Sequence, residues 1–314
     1  MTDSRSAGGT LQTLPAAAPV PRAWRVPALA RLVLGFARGK PLGAIGGVIV
    51  LALLVVAVFA DRIAPHPYSA SIAGARMKPP SAQFWMGTDN LSRDIWSRVV
   101  YGARISVTVG FATVALATLM ATVVGVSSAY LGGAYDICVQ RVVDAWISFP
   151  ALVVILSLIA ALGPGLANLV LALSILGAAG ASRVIRGATL SVMASPFVEA
   201  ARALGAGHLR IVSLYVLPNV MATILILATI GLGQVILAEA ALSFLGFGIP
   251  PPYPSWGAML SGSGRSFMYY APWMALFPSA AISLAVFGFQ MLGDALRDVL
   301  DPRLRGSGRA GAPA

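Results

Sequence analysis

Glu239 is a carboxylate set inside a long apolar run, GQVILAEAALSFLG. Within a bilayer an ionisable side chain is unfavourable by at least about 2.5 kcal/mol on insertion scales, so it must face other helices, a partner subunit or water. Two roles stay open for it: a residue lining a translocation pathway, or a hydrogen-bonded contact at a subunit interface, helped by Gln234 or Ser243. The other reactive side chains do not assemble into a centre. His66 and His208 fall in different loops, and the single cysteine, Cys138, is near neither, so no metal site and no disulfide is expected. Cys138 reads as a small packing residue. No Ser/His/Asp set can be drawn, and no GxxxxGK[ST] phosphate loop is present, so the chain is not expected to be an enzyme or to bind ATP or another cofactor by itself.

The elements that hold these residues are set by composition. Hydrophobic residues make up 58% of the 314, and the 11% that are charged amount to about half the share in an average soluble domain. That balance belongs in a bilayer. The 22 basic residues against 11 acidic ones give +11, but they sit at the ends of apolar runs and nearly all are arginine. Such placement fits orientation in a membrane and not a nucleic-acid groove.

The expected fold is an all-α integral membrane protein of six transmembrane helices. Residues 1–40, rich in Ala, Pro, Gly and Ser, form a largely disordered tail that ends in a basic anchor of Arg22, Arg25, Arg31, Arg38 and Lys40. The nineteen uncharged residues from Leu42 to Ala60 are long enough to cross a hydrocarbon core of roughly 30 Å, giving a first span over 41–61. A cleaved signal peptide would be shorter and nearer the start, so a retained span is favoured. Gly43 and Gly47 make a GxxxG pair there. Residues 62–104, with Pro65, Pro67, Pro79 and Pro80, form a loop on the far side. Asp94, Ile95, Arg98, Val99 and Gly102 fall at helical spacing, as in an amphipathic helix lying on the surface.

Five further spans occupy 105–294. The second lies within Ile105–Tyr135, and Asp136, Arg141 and Asp144 mark a turn. The uncharged stretch Ala145–Ser182 is split into two spans by Gly163-Pro164-Gly165, and Arg183 and Arg186 close the fourth. The fifth covers Asn219–Leu245 and the sixth Trp273–Gly293, followed by a tail over 295–314, and Asp294, Arg297, Asp298 and Arg303 make a charged cap at this end. Loops on the side of the termini hold fifteen Lys and Arg, against seven on the other side. Both termini are therefore expected in the cytoplasm.

Between the fourth and fifth spans lies a polar, basic island, EAARALGAGHLRIVSLYVLP, from Glu199 to Pro218. Ser195 and Pro196 read as an N-cap and a first-turn proline, and Gly205 and Gly207 break the helix that follows. A second helical piece, His208 to Val216, is expected to end before Pro218. After the fifth span comes an aromatic, proline-rich loop, Leu242 to Trp273, containing Pro250, Pro251, Pro252 and Trp256. Its aromatics fit a belt at the membrane surface. The proline run favours a short re-entrant turn that gates the pathway or docks a partner.

Glu199-Ala200-Ala201, three residues, Gly205, and a Leu217-Pro218 pair ending thirteen positions after that glycine resemble the EAA loop of permease subunits in bacterial ABC importers. Tyr215 stands where that family often has isoleucine. GTDNLSRDIWSRVVYGARIS is similar to a signature of the dipeptide and oligopeptide branch, with Ser92 in place of its usual glycine. LSFLG, WGAML and APW, then GDALRDVLDPRLRG preceded by Gln290 for asparagine, continue the likeness.

The resemblance implies an inner-membrane, multi-pass subunit that pairs with a homologous permease as a heterodimer. It also implies two cytoplasmic ATPase subunits carrying ATP and Mg, an extracytoplasmic substrate-binding protein, and no nucleic acid. Glu199, Ala200, Ala201, Gly205, Leu217 and Pro218 would then couple to the ATPase, and the solute would be a peptide, nickel, glutathione or another small molecule. The rival is an ATPase-independent secondary transporter or channel. Such proteins place several ionisable groups at the midplane, where Glu239 stands nearly alone.

Overall fold

In a bilayer an uncharged run has no water to satisfy its backbone, so it must close its own hydrogen bonds as helix. The computed structural model describes residues 37–300, and among these it is helical apart from turns and loops, with one isolated β-bridge, Thr88–Asp94. In chain order the helices are α1 (Pro41–Val58), α2 (Ala60–Ile63), α3 (Ile95–Leu131), α4 (Gly133–Ser148), α5 (Ala151–Leu162), α6 (Leu166–Met193), α7 (Pro196–Ala203) and α8 (His208–Arg210). A π-helical turn, Ile211–Val216, leads into α9 (Leu217–Phe244), followed by α10 (Trp256–Leu260), α11 (Ser263–Phe267) and α12 (Trp273–Leu300). Five of these stretches are long and apolar enough to cross a membrane: α1, α3, α6, His208–Phe244 and α12. α4 and α5 meet at 95° and supply a sixth crossing if the bent pair counts as one.

The expected surface helix before the second span is instead the start of that span. No proline or loop interrupts Ile95–Leu131, so all 37 residues form one helix. Its charges face folded chain. Asp94 is the N-cap, accepting from the Ser97 amide at 2.9 Å, and buried Arg98 donates to the Tyr68 carbonyl at 3.1 Å beside Asp89. Asp89 in turn accepts from the amides of Leu91 and Arg93, both at 2.8 Å.

Ser92, the residue that replaces glycine, sits in this turn with φ +60°. A left-handed conformation costs a non-glycine residue roughly 1–2 kcal/mol. Ser92→Gly is therefore expected to raise the thermal midpoint of the detergent-purified protein by a few degrees. An unchanged or lower midpoint would show that the loop, not the residue, sets this stability.

Two further boundaries differ from expectation. Asp136, Arg141 and Asp144 lie on a helix, α4, and Arg183 and Arg186 lie within α6, which runs on to Met193. The reason is pairing. Arg186 Nε donates to Asp136 at 2.7 Å and Arg183 pairs with Asp144, so these charges clamp α4 to α6 and do not mark a span's end. α12 likewise continues past Gly293 to Leu300.

Close crossings set the packing. A Cβ on Gly46 would lie 2.7 Å from the Gly288 carbonyl oxygen and the Leu292 amide, so α1 and α12 touch backbone to backbone there. The GxxxG expectation is corrected by one position: Gly43 and Gly46 are the buried pair, while a Cβ on Gly47 meets only a leucine methyl at 3.7 Å. α3 crosses α6 the same way, with Gly125 against the Ser182 carbonyl. Lys40 and Asp298 pair at 2.6 Å, so α1 begins and α12 finishes at one end of the bundle. The tail before residue 37, its basic anchor up to Arg31, and Arg303 lie outside the described residues.

Candidate functional site

Ser195 and Pro196 start α7 as expected, although the Ser195 hydroxyl bonds the Val192 carbonyl and does not cap the helix. The stop is built on Gly205. With φ at +81°, its amide bonds the Arg202 carbonyl at 2.9 Å, and the Ala206 amide bonds the Ala201 carbonyl at 3.0 Å. These are the two bonds of a Schellman motif, with glycine at the left-handed position.

The second helical piece does not end before Pro218. His208 to Phe244 is one helical stretch, because the π-helical turn at Ile211–Val216 precedes the proline. Pro218 lacks an amide hydrogen and its ring crowds the carbonyl four residues back, and a wider turn relieves both. Tyr215, the departure from the usual isoleucine, stacks on Phe197 of α7 with centroids 6.5 Å apart, closing the two arms on each other. Beneath them Val198, Ile211 and Val216 are buried with Ile185 of α6 and Val220 of α9.

This joint presents apolar side chains outward. Leu204 is 88% and Leu209 87% exposed, with Phe197 and Leu214 also uncovered, and Glu199, Arg202 and Arg210 lie exposed between them. Of the expected coupling residues, Glu199, Ala200, Gly205 and Pro218 are exposed, Leu217 is half-buried, and Ala201 is buried against the joint's own core. They form one bent surface at the end of the bundle that holds Lys40 and Asp298.

Glu239 sits towards the opposite end. It is fully buried within the chain, and its Oε1 accepts from Ser243 Oγ and Ser255 Oγ, each at 2.7 Å. Its Oε2 faces Ser106 Oγ of α3, and neither atom has a partner beyond the other. Ser243, one of the two helpers expected for it, is bonded to it, Gln234 is not, and the carboxylate reaches no surface of the single chain. The reason is Ser255, sixteen residues on, which brings the loop over the carboxylate.

Pro250, Pro251 and Pro252 are exposed at the loop's outer edge. Trp256 is not a surface residue. It is 2% exposed, donates from Nε1 to the Val99 carbonyl at 2.9 Å, and sets the pyrrole edge of its ring against Gly102, where a Cβ would approach it to 2.5 Å. α10 is pressed as closely on α9, for a Cβ on Gly257 would lie 2.0 Å from the Ala240 carbonyl. Trp256 is thus a strut that fixes the loop, while the prolines stay available.

A further polar side chain lies on the helix that carries Glu239. Gln234, within α9, is exposed and makes no hydrogen bond in the structure, and Gln290 of α12 packs against the adjoining Gly233. An amide facing out of a span has to meet a partner or water. The signal was present in the sequence as a lone amide between apolar residues, with Glu239 drawing attention five positions away.

Known proteins are similar to this chain in sequence over most of its length. Residues 121–306, more than half of the chain and the whole of the joint, match the family described as the binding-protein-dependent transport system inner membrane component. Residues 37–80 match the N-terminal TM domain of oligopeptide transport permease C. The chain is 40% identical over 264 residues to the dipeptide transport system permease protein DppC of Alkalihalophilus pseudofirmus, covering 84% of this chain and 86% of that one. It is 37% identical over 269 residues to the probable D,D-dipeptide transport system permease protein DdpC of Escherichia coli, covering 86% and 90%. It is 39% identical over 258 residues to a glutathione transport system permease protein, GsiD, of Escherichia coli, covering 82% and 85%. With apolar helices fit to cross a bilayer and a match that takes in joint, spans and outer loop together, the chain belongs to the inner-membrane permease components of binding-protein-dependent ABC importers, a multi-pass transport subunit and not an enzyme.

Proposed function

We propose that this permease docks on a cytoplasmic ATPase through the joint of α7, α8 and the π-helical turn, and forms with a second, homologous permease the pathway for a peptide or similar small solute. The observation that carries this is the exposure of Leu204 and Leu209 on the polar island where α6 hands over to the apolar run of α9. Large apolar side chains on such a surface mark a contact with another protein, and an amphipathic helical element seated in a partner's groove is a recurring mode of recognition. The positive-inside balance puts the joint and both termini in the cytoplasm. ATP and Mg then belong to two partner ATPase subunits. Closure of those subunits would displace the joint, and α6 and α9, packed on it, would carry the displacement into the bilayer.

On the far side, an extracytoplasmic binding protein delivers the solute to the loop that contains Pro250, Pro251 and Pro252. Gln234 is the pathway residue this reading favours, because an amide can both donate to and accept from a peptide bond. The named relatives move dipeptides and glutathione, both of which contain amide bonds.

Leu204→Glu tests the docking face. The variant is expected to insert normally and to lose co-purification with the ATPase subunit, since a charge replaces an apolar contact. Wild-type recovery of the ATPase with this variant would overturn the assignment.

A further inference from the structure

Tyr130 and His208 lie 78 positions apart, yet the Tyr130 hydroxyl and His208 Nδ1 are 2.8 Å from each other. Their rings also meet edge to face, with centroids 5.8 Å apart at 87°. Tyr130 is in the last turn of α3, and His208 is the first residue of α8, directly after the Gly205–Gly207 break. The bond therefore ties a transmembrane helix to the hinge side of the joint.

It is the polar part of that tie. An apolar groove of about 360 Å³, lined by Thr122, Val126, Leu209, Val212 and Leu217, opens between α3 and the joint, and the Tyr–His pair lies at its edge. Among the described residues no other hydrogen bond or ion pair joins α3 to residues 196–216. The joint's remaining supports are apolar: Ala121 and Val126 of α3 and Ile185 of α6 share its buried core, and the chain continues directly into α9.

α3 is the element best placed to use such a contact. At about 1.5 Å per residue its 37 residues make a rod of roughly 55 Å. It is locked to α6 at Gly125, five residues before Tyr130, and its far end carries the Val99 carbonyl and Gly102 that seat Trp256 of the outer loop. Movement of α3 at Tyr130 thus reaches the opposite end of the bundle through a single helix.

We infer that the Tyr130–His208 hydrogen bond is a positioning contact that passes displacement of the joint to α3, alongside the routes through α6 and α9. The inference rests on the reading of the joint as the ATPase-facing surface. The bond does not depend on histidine charge. A neutral Nδ1 accepts from the tyrosine hydroxyl, and a protonated one donates to it, so the contact holds in either state.

The experiment uses the complete importer in proteoliposomes, with solute uptake and ATP hydrolysis measured together. Tyr130→Phe keeps the ring and removes the hydroxyl. It is expected to lower solute moved per ATP by about 2- to 10-fold, the range that one lost hydrogen bond corresponds to. His208→Leu, at an exposed position, should lower the ratio similarly and covers the case of poor insertion by the tyrosine variant. His208→Asn, whose amide oxygen can stand in for Nδ1, should restore most of the ratio. The double variant Tyr130→Phe with His208→Leu should be no worse than either single one, as for two ends of one bond.

A wild-type ratio in both single variants, additive losses in the double, or failure of His208→Asn to rescue would overturn the bridge. Leu204→Glu separates this from the underlying reading. If that variant keeps its ATPase, the docking assignment fails first and the bridge falls with it. If it loses the ATPase while Tyr130→Phe stays coupled, only the bridge is wrong.

Discussion

Replacing Gly205 with valine is expected to leave the chain inserted and assembled but to remove most ATP-driven transport. The reason is conformational and not steric. A Cβ built on Gly205 meets no heavy atom within 4 Å, so there is room for a side chain. What valine cannot readily adopt is φ +81°, the left-handed geometry on which the Schellman bonds of Gly205 and Ala206 depend. Holding a β-branched residue there costs on the order of 1–3 kcal/mol, and the chain escapes that cost by opening the joint. A bias of this size shifts a two-state equilibrium by about 5- to 150-fold. α7 would then point Leu204 away from the position that matches Leu209 across the bend.

Four variants separate this account from a size effect. Backbone strain predicts the order of activity Gly, Asn, Ala, Val, since asparagine tolerates left-handed geometry better than alanine does. Simple bulk predicts alanine ahead of asparagine. Uptake per ATP in proteoliposomes decides between them, and full transport by Gly205→Val would remove the joint from the mechanism.

Such a joint could be read from the chain because its determinants are local. Pro196 opens a helix and Gly205 closes it whatever surrounds them, and the apolar runs are long enough to announce spans without knowledge of their neighbours. The elements that were misjudged depend on distant residues. Arg183 and Arg186 look like the end of a span until Asp144 and Asp136 on α4 are seen to pair with them. Arg98 looks like a surface charge until the loop that contains Tyr68 and Asp89 folds over it. A count of charges along the chain marks where polarity occurs, but not whether protein or water satisfies it. Trp256 follows the same rule: an aromatic in a loop fits a membrane belt equally well until Gly102 on another helix leaves room for its ring.

Glu239 extends that lesson into a prediction, since its surroundings assign it a third role, that of an anchor for the outer loop. One oxygen holds Ser243 on its own helix and Ser255 at the start of α10, and α10 in turn places Trp256 on α3. Glu239→Leu is close in size but removes the acceptor. Ser243 can turn to a carbonyl one helical turn back, whereas Ser255 is buried and its hydroxyl bonds Glu239 alone. A stranded buried hydroxyl costs about 1–3 kcal/mol, so the leucine variant should lose several degrees of thermal stability in detergent and free the loop. A cysteine introduced by Ser255→Cys beside it should then label with a water-soluble maleimide, where the same cysteine behind Glu239 stays protected. Glu239→Gln keeps the accepting oxygen and the shape, and its amide nitrogen replaces the oxygen that now has no partner beside Ser106. It should therefore assemble and transport close to wild type. Loss of transport in the glutamine variant, with assembly and stability intact, would return Glu239 to the pathway as a charged group. Loss of assembly alone would place it at a subunit interface. Retention of both, together with an unstable leucine variant, leaves the anchor as the role that accounts for a carboxylate buried inside one subunit.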